Sequence, residues 1–366
     1  MDFSSSYVDL ISGQRRGLAA AAARAGLLGL SLAYQGALRL RNHWYDRLAM
    51  PRWLEVPVIS IGNLTVGGTG KTPMAVWVCH RLIEHGLKPA VLCRGYKASP
   101  QGFADEAVMM SRQCPQAIVI AHPDRFAAGQ LAITEYGATA AILDDGLQHR
   151  RMSRDLEIVL IDATRPFGFG HVLPRGLLRE PLAGLARAHV LVITRSDQVT
   201  PDQLTTIEQT LRRRARADVP ILQAVHRPAG FVDLSGQETH PGQHQRIGCL
   251  AGIARPETFV RTLGNLNIHP VANQFVPDHY PYQSTDAKTL ERWVQEEQLD
   301  AIVTTEKDAV KLRRLDSRWP APVLALRIEM VMAKDDDQVL RELIKTTLAE
   351  AESASPGGEP GKHAPS

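Results

Sequence analysis

The sequence predicts an α/β protein whose main domain is a parallel sheet covered by helices on both faces. Three observations predict it. Six short, nearly unbroken apolar runs lie between residues 56 and 194. Most are separated by amphipathic stretches such as "TPMAVWVCHRLIEHG" and "DRFAAGQLAITEYG". The first run opens into a glycine-rich turn, "NLTVGGTGKTP" (63–73), which leads into one of those stretches. Runs without polar alternation mark strands buried on both faces, and parallel neighbours need a crossover between them.

The segment before the sheet, residues 1–55, carries the chain's charge asymmetry. The formal charge of the 366-residue chain is only +3, which does not suggest a nucleic-acid binder. Between residues 11 and 52, however, stand arginines 15, 16, 24, 39, 41, 47 and 52 against one acid, Asp46. Among them runs "GLAAAAARAGLLGLSLAYQGAL" (17–38). It has no early cleavage site of the kind a signal peptide shows, and it only just reaches the roughly 20 apolar residues of a span. Its leucines share a broad arc that also contains Arg24. A membrane-surface helix with arginines reaching headgroups is the first reading; a helix packed on a domain and a true span are the others.

Residues 56–225 form the main domain. Its strands are "VPVISIG" (56–62), "KPAVLC" (88–93), "AIVIA" (117–121), "TAAILDD" (139–145), "LEIVLID" (156–162) and "HVLVIT" (189–194). A stretch rich in Gly and Pro, 226–247, reads as a connecting ribbon. A smaller α/β alternation follows over 248–349, and the apolar-poor tail 350–366 reads as disordered. With 44% hydrophobic residues the chain can bury two cores. Cysteines 79, 93, 114 and 249 form no CxxC pair, so they read as buried apolar thiols in a reducing compartment.

The turn "TVGGTGKT" (65–72) has the chemistry of a phosphate loop, although Thr65 stands where the usual pattern has glycine. Gly67, Gly68 and Gly70, with Thr69 among them, let backbone N–H groups converge on phosphate oxygens, and the following helix offers its positive end. Lys71 would reach the β- and γ-phosphates and Thr72 would place its hydroxyl on Mg²⁺. A strand ending in Asp144-Asp145 supplies the second half of such a site, because ligands gather beyond the carboxyl ends of parallel strands. The pattern predicts a nucleoside triphosphate.

The acceptor is less directly written. "VITRSD" (192–197) approaches a guanine-reading element but has Arg195 in place of lysine, and no DxxG follows the acidic strand. A GTPase or ATPase switch working at the membrane with a protein partner is therefore the alternative. A kinase needs an acceptor-side base, for which Asp105 in "FADEAVMM" and Asp278-His279 in "FVPDHYPY" (275–282) are candidates.

Taken together and in order, "GNLTVGGTGKTP", "RGY", "ADEA", "DDGLQH", "LPRGLLREP" (173–181), "FVPDHYPY" and "TTEKDAVKL" (304–312) resemble the tetraacyldisaccharide 4'-kinases of lipid A synthesis. The resemblance extends from about residue 15 to about 345, with "ADEA" departing from the usual GDEP. It implies a P-loop NTPase-like domain with a smaller C-terminal α/β domain. It also implies transfer from ATP, with Mg²⁺, to the 4'-hydroxyl of a lipid A disaccharide 1-phosphate at the cytoplasmic face of the bacterial inner membrane. Asp105 then matches the catalytic aspartate, paired with His279; Lys71 and Thr72 match the phosphate loop; Asp144, Asp145 and Gln148 match the acidic strand and its neighbourhood. Arg94 in "RGY" is a candidate γ-phosphate contact. Arg175 and Arg179, set among apolar residues in 166–188, are candidates for the glycolipid or its 1-phosphate. The inner-membrane surface is an expected partner; no nucleic acid and no obligate protein partner are expected.

Overall fold

The structure is a computed structural model that describes residues 5–94, 105–242, 245–253, 256–278, 280–315 and 319–354. The chain divides into two compact units. The larger comprises Tyr7–Tyr96, Cys114–Val225 and Met330–Ser366, and the smaller Met1–Ser6, Lys97–Gln113 and His226–Glu329.

In chain order the elements begin with α1 (Ser5–Ser12), α2 (Leu18–Arg47), β1 (Val58–Asn63), α3 (Lys71–Glu84) and β2 (Pro89–Cys93). They continue with α4 (Asp105–Gln113), β3 (Ile118–Ala121), α5 (Arg125–Thr134), β4 (Ala140–Asp144) and β5 (Leu156–Asp162). Next come β6 (Val190–Thr194), α6 (Pro201–Arg212), β7 (Ile221–Asp233), β8 (Glu238–Thr239), β9 (Ile247–Ala251) and α7 (Pro256–Asn265). The chain closes with β10 (Ala272–Phe275), α8 (Ser284–Glu296), β11 (Ala301–Thr305), α9 (Glu306–Leu312), β12 (Val323–Met332) and α10 (Lys334–Ala354).

In the larger unit the strands run parallel in the order β3-β2-β4-β1-β5-β6, with the first residues of β7 beside β6. All six apolar runs thus become strands. The phosphate-loop strand β1 lies at the centre, and its Ile61 is level with Asp144 of β4. One face packs Val159, Ile161, Leu191 and Ile193 against Ile207 and Leu211 of α6. Elsewhere in the sheet, Ala90, Leu92, Ala141 and Leu143 pack against Ala128 and Ala132 of α5. Each fully buried side chain of Val or Leu size contributes about 1.5–3 kcal/mol. Asp124 caps α5 by accepting from Phe126 N at 2.9 Å and Ala127 N at 3.2 Å.

The smaller unit holds a second parallel sheet, β10-β9-β11-β12. Successive residues of β9 face opposite helices: Cys249 and Ala251 join Phe259 and Leu263 of α7, while Leu250 joins Leu290 and Val294 of α8. That alternation is why the run is apolar throughout. All four cysteines are free and buried, as expected for small apolar residues.

The division differs from a reading in consecutive blocks. Residues 226–233 continue β7, and β8 turns back antiparallel on it, so much of the expected ribbon is a hairpin with Gly236 at φ 95° in its turn. Helix α10 groups with the larger unit, where Asp336 accepts from Gln223 N at 2.9 Å and Arg341 pairs with Glu84 at 3.0 Å. Its Ala- and Glu-rich end also takes in the first residues of the expected tail, 350–354.

Helix α2 meets the larger unit along a narrow seam. Ala20, Ser31 and Leu38 are buried, with Arg24, Leu27, Gln35 and Asn42 half-buried between and beyond them. That spacing is one face of a helix. Arg24, which disturbed the leucine arc, lies on the seam and donates to the carbonyls of Arg15 at 2.8 Å and Leu10 at 3.4 Å. Among the described residues no helix is long and apolar enough to cross a membrane, so the spanning reading is set aside: alanine, glycine and arginine dilute the apolar run.

Candidate functional site

The carboxyl ends of β1 and β4 bring the two predicted halves together. After Asn63 the chain is held by the segment 177–179: Val66 N donates to Leu177 O at 2.8 Å and Arg179 N to Leu64 O at 2.7 Å. Gly67 (φ 120°) and Gly70 (φ 92°) adopt left-handed backbone that a side chain would strain, and Gly70 caps α3. Beside Gly67 and Gly68 an added Cβ would meet no atom within 4 Å, so the turn borders open space where their side chains would stand. Thr65 pairs with Leu178 in an isolated bridge, and Thr69 O accepts from Thr194 Oγ1 at 2.9 Å. The buried Thr69 Oγ1 has no hydrogen-bond partner among the described residues. Thr72 lies half-buried on the first turn of α3.

Lys71 occupies the middle of this cradle. Its Nζ donates to Asn63 Oδ1 at 3.2 Å and lies 3.4 Å from Asp145 Oδ1. Asp145 also accepts from Arg179 Nη1 through both oxygens, at 2.9 and 2.8 Å. Burial acts to raise the Asp145 carboxyl, but the charges of Lys71 and Arg179 outweigh it and hold the group well below the usual carboxylate range. Asp145 is therefore ionised. Its backbone is left-handed at φ 56°. Asp144, one residue earlier, is buried at the end of β4.

Gln148 reaches back to the same strand. Its amide donates to Asn63 O and to Glu180 Oε1, both at 2.9 Å. Glu180 is fully buried and balanced by Arg187 at 2.7 Å. Asn63, Glu180 and Arg187 received no role from the sequence. Asn63 stands at the head of the quoted loop, the only signal that marked it; the pairing of Glu180 with Gln148 spans 32 positions and leaves no linear trace.

Arg94 follows β2 directly and is exposed. Arg175 donates to Ile11 O at 2.7 Å, and Arg179 is committed to Asp145. In the smaller unit Asp105 opens α4, with its side chain outside what is described, and His279 lies outside the described residues. Its neighbour Asp278 pairs with Lys307 at 2.7 Å. Asp308 accepts from Gly252 N at 2.9 Å and Thr305 Oγ1 at 2.7 Å, which gives "TTEKD" a structural use in joining β11 to the loop after β9. Glu306 is bonded by Gln113 and Arg327; burial raises its carboxyl against those partners. Arg195, at the guanine-reading position, is ion-paired with Asp162.

Among the described residues no three His, Cys, Asp or Glu side chains are grouped to hold a metal on their own. The set Thr72, Asp144 and Asp145 is all oxygen, which suits Mg²⁺, an ion that keeps several waters and is completed by phosphate. The open glycine cradle, the orphaned Thr69 hydroxyl and the lysine at a helix start together fit a phosphate chain.

Comparison with known proteins agrees with this chemistry. The family model described as tetraacyldisaccharide-1-P 4'-kinase matches residues 23–349. A tetraacyldisaccharide 4'-kinase of Syntrophus aciditrophicus is 38% identical over 347 residues, covering 86% of this chain and 91% of that one. Another from Anaeromyxobacter sp. (strain K) is 35% identical, covering 96% and 97%. Among solved structures, the LpxK of Aquifex aeolicus, crystallised with ATP, superposes with a TM-score of 0.71 at 27% identity, covering 89% of this chain and 99% of that one.

Proposed function

The chain belongs to the tetraacyldisaccharide-1-P 4'-kinase family, and on that premise we propose how its residues divide the transfer. It is an ATP-dependent kinase that phosphorylates the 4'-hydroxyl of tetraacyldisaccharide 1-phosphate, a step of lipid A biosynthesis. The observation that carries the assignment of roles is Lys71, held at the start of α3 between Asn63 and the ionised Asp145.

The main-chain N–H groups of residues 65–72 cradle the phosphates, and Lys71 exchanges Asp145 for the β- and γ-phosphate oxygens. Thr72 with Asp144 or Asp145 would hold Mg²⁺, which when bound neutralises charge across those oxygens. Gln148 braces the loop strand through Asn63 and Glu180. Arg94 is assigned to the γ-phosphate. Arg179 keeps Asp145 ionised; with Arg175 it lies in the segment assigned to the glycolipid. Asp105, oriented by His279, takes the proton of the 4'-hydroxyl. The hydroxyl oxygen then bonds to the γ-phosphorus while the bond to the β-γ bridging oxygen breaks and ADP departs.

The acceptor carries acyl chains that cannot leave a bilayer cheaply, at about 0.8 kcal/mol per buried CH₂. On α2, Leu28, Leu30, Leu32, Leu40 and Trp44 are exposed, and Trp53 follows. We read that surface as the dock on the cytoplasmic face of the inner membrane. The test of the whole assignment is transfer of γ-labelled phosphate from ATP to the precursor glycolipid. Wild type should label the lipid and Lys71→Ala should fall by about a hundredfold or more. Label released only as free phosphate, with GTP preferred, would return the switch reading.

A further inference from the structure

Behind the turn that carries Asp145 and Gln148 lies a buried ion pair that the transfer itself does not use. Residues 146–152 contain no strand or helix, yet their carbonyls converge on one side chain. Arg154 donates through Nη1 to Gly146 O at 3.2 Å and through Nη2 to His149 O at 2.8 Å and Met152 O at 3.2 Å. The same Nη1 donates to Glu157 Oε2 at 2.6 Å. Glu157 is 1% exposed, and its other oxygen accepts from Ser60 Oγ of β1 at 2.8 Å. The carboxylate is thus held on both sides and fixes the guanidinium from behind.

The turn rests directly on β1. Gly146 N donates to Ile61 O at 3.0 Å, and a Cβ on Gly146 would lie 2.1 Å from Ser60 Oγ. His149 N closes the turn onto Gly146 O at 2.8 Å, the oxygen that Arg154 also engages. An apolar pair of similar volume would fill this position in a parallel sheet at no loss of stability, since the desolvation of a buried ion pair commonly cancels its attraction. What an apolar pair cannot do is gather three carbonyls of an irregular turn. A planar fork with five donors can.

We propose that Arg154, locked by Glu157, is a positioning residue that sets the shape of the 145–152 turn and so the place of Asp145 toward the metal and of Gln148 toward the loop strand. The assignment rests on Asp145 standing at the metal side of the nucleotide. Arg154→Lys keeps a cation opposite Glu157 but loses the fork. In the full chain it should weaken calorimetric binding of a magnesium-loaded, non-hydrolysable ATP analogue by about tenfold. Binding of the same analogue without Mg²⁺, and KM for the glycolipid, should stay within about twofold. Amide exchange at Gly146 and His149 should quicken by about tenfold, a readout independent of turnover.

Wild-type magnesium dependence and wild-type exchange in folded Arg154→Lys would overturn the proposal. Should that variant not fold, Glu157→Gln, which keeps the volume and an acceptor, carries the same test with a smaller effect in the same direction. Asp145→Asn separates the two layers. If it loses the magnesium dependence while Arg154→Lys does not, the positioning role falls alone. If Asp145→Asn keeps the dependence, the metal-side reading falls and takes this assignment with it.

Discussion

At Lys71 and Asp145 two residues far apart in the sequence, one from a glycine turn and one from a strand end, meet at 3.4 Å. Both were readable in the sequence because their chemistry is local: the lysine closes a loop pattern and the carboxylate ends an apolar run. The residues that hold them were not readable, because Asn63, Glu180 and Arg154 act through carbonyls and amides whose pairing depends on the fold. His149 gives this neighbourhood a measurable signature. Burial first, then the charges of Arg125 and Arg154, push its pKa down to about 4 from the ordinary 6.5. The folded chain therefore refuses a proton that the unfolded chain accepts between those values, so stability is complete above about pH 6.5 and falls as pH drops toward about 4. The ring is partly exposed, and solvent screening reduces the effect to on the order of 1 kcal/mol. Urea unfolding at about pH 7 and about pH 5 should show the loss in wild type, and His149→Gln should flatten it. Parallel pH curves for the two proteins would remove His149 as the cause.

At the scale of elements, strands were the most legible and α2 the least. A doubly buried strand announces itself by an unbroken apolar run, whereas a helix that touches the body along one seam leaves its other faces free to carry apolar residues. The seam of Ala20, Ser31 and Leu38 is small and partly polar, so hydrophobicity alone points to the wrong face. Ser31 reads as a defect in the sequence; in the fold its hydroxyl donates to Val172 O. Tyr34 OH similarly donates to Arg179 O at 3.2 Å. The exposed leucines make up the surface proposed as the membrane dock. Leu30 and Leu32 are 61% and 60% exposed. Replacing both by glutamate should lower partition onto vesicles containing anionic lipid by about tenfold or more. Stability should change by no more than about 0.5 kcal/mol at each such surface site. Unchanged flotation with vesicles would mean that this face of α2 is not the dock.

At the scale of the whole molecule, chain order and spatial grouping part company. The larger unit is left after Tyr96, rejoined at Cys114, left again after Val225 and rejoined at Met330. A reading in consecutive blocks could find both sheets and still misassign α4 and α10, because Arg341–Glu84 is a pair 257 positions apart. The same interleaving separates the proposed roles. Lys71 and Asp145 belong to the larger unit, whereas position 105 falls in the smaller one, as does position 279. Nucleotide affinity and the proton-accepting step should therefore respond to different substitutions. In the full chain Asp105→Asn should leave calorimetric binding of magnesium-loaded ATP analogue within about twofold while kcat falls by about a hundredfold or more. Lys71→Ala should weaken that binding as well as turnover, because in its proposed role the ammonium meets the phosphates in the ground state and in the transition state alike. Rapid-quench turnover with saturating nucleotide distinguishes the two losses. A base-deficient enzyme keeps its nucleotide and stalls at transfer, and an Asp105→Asn chain that instead loses its nucleotide would move Asp105 out of the acceptor role.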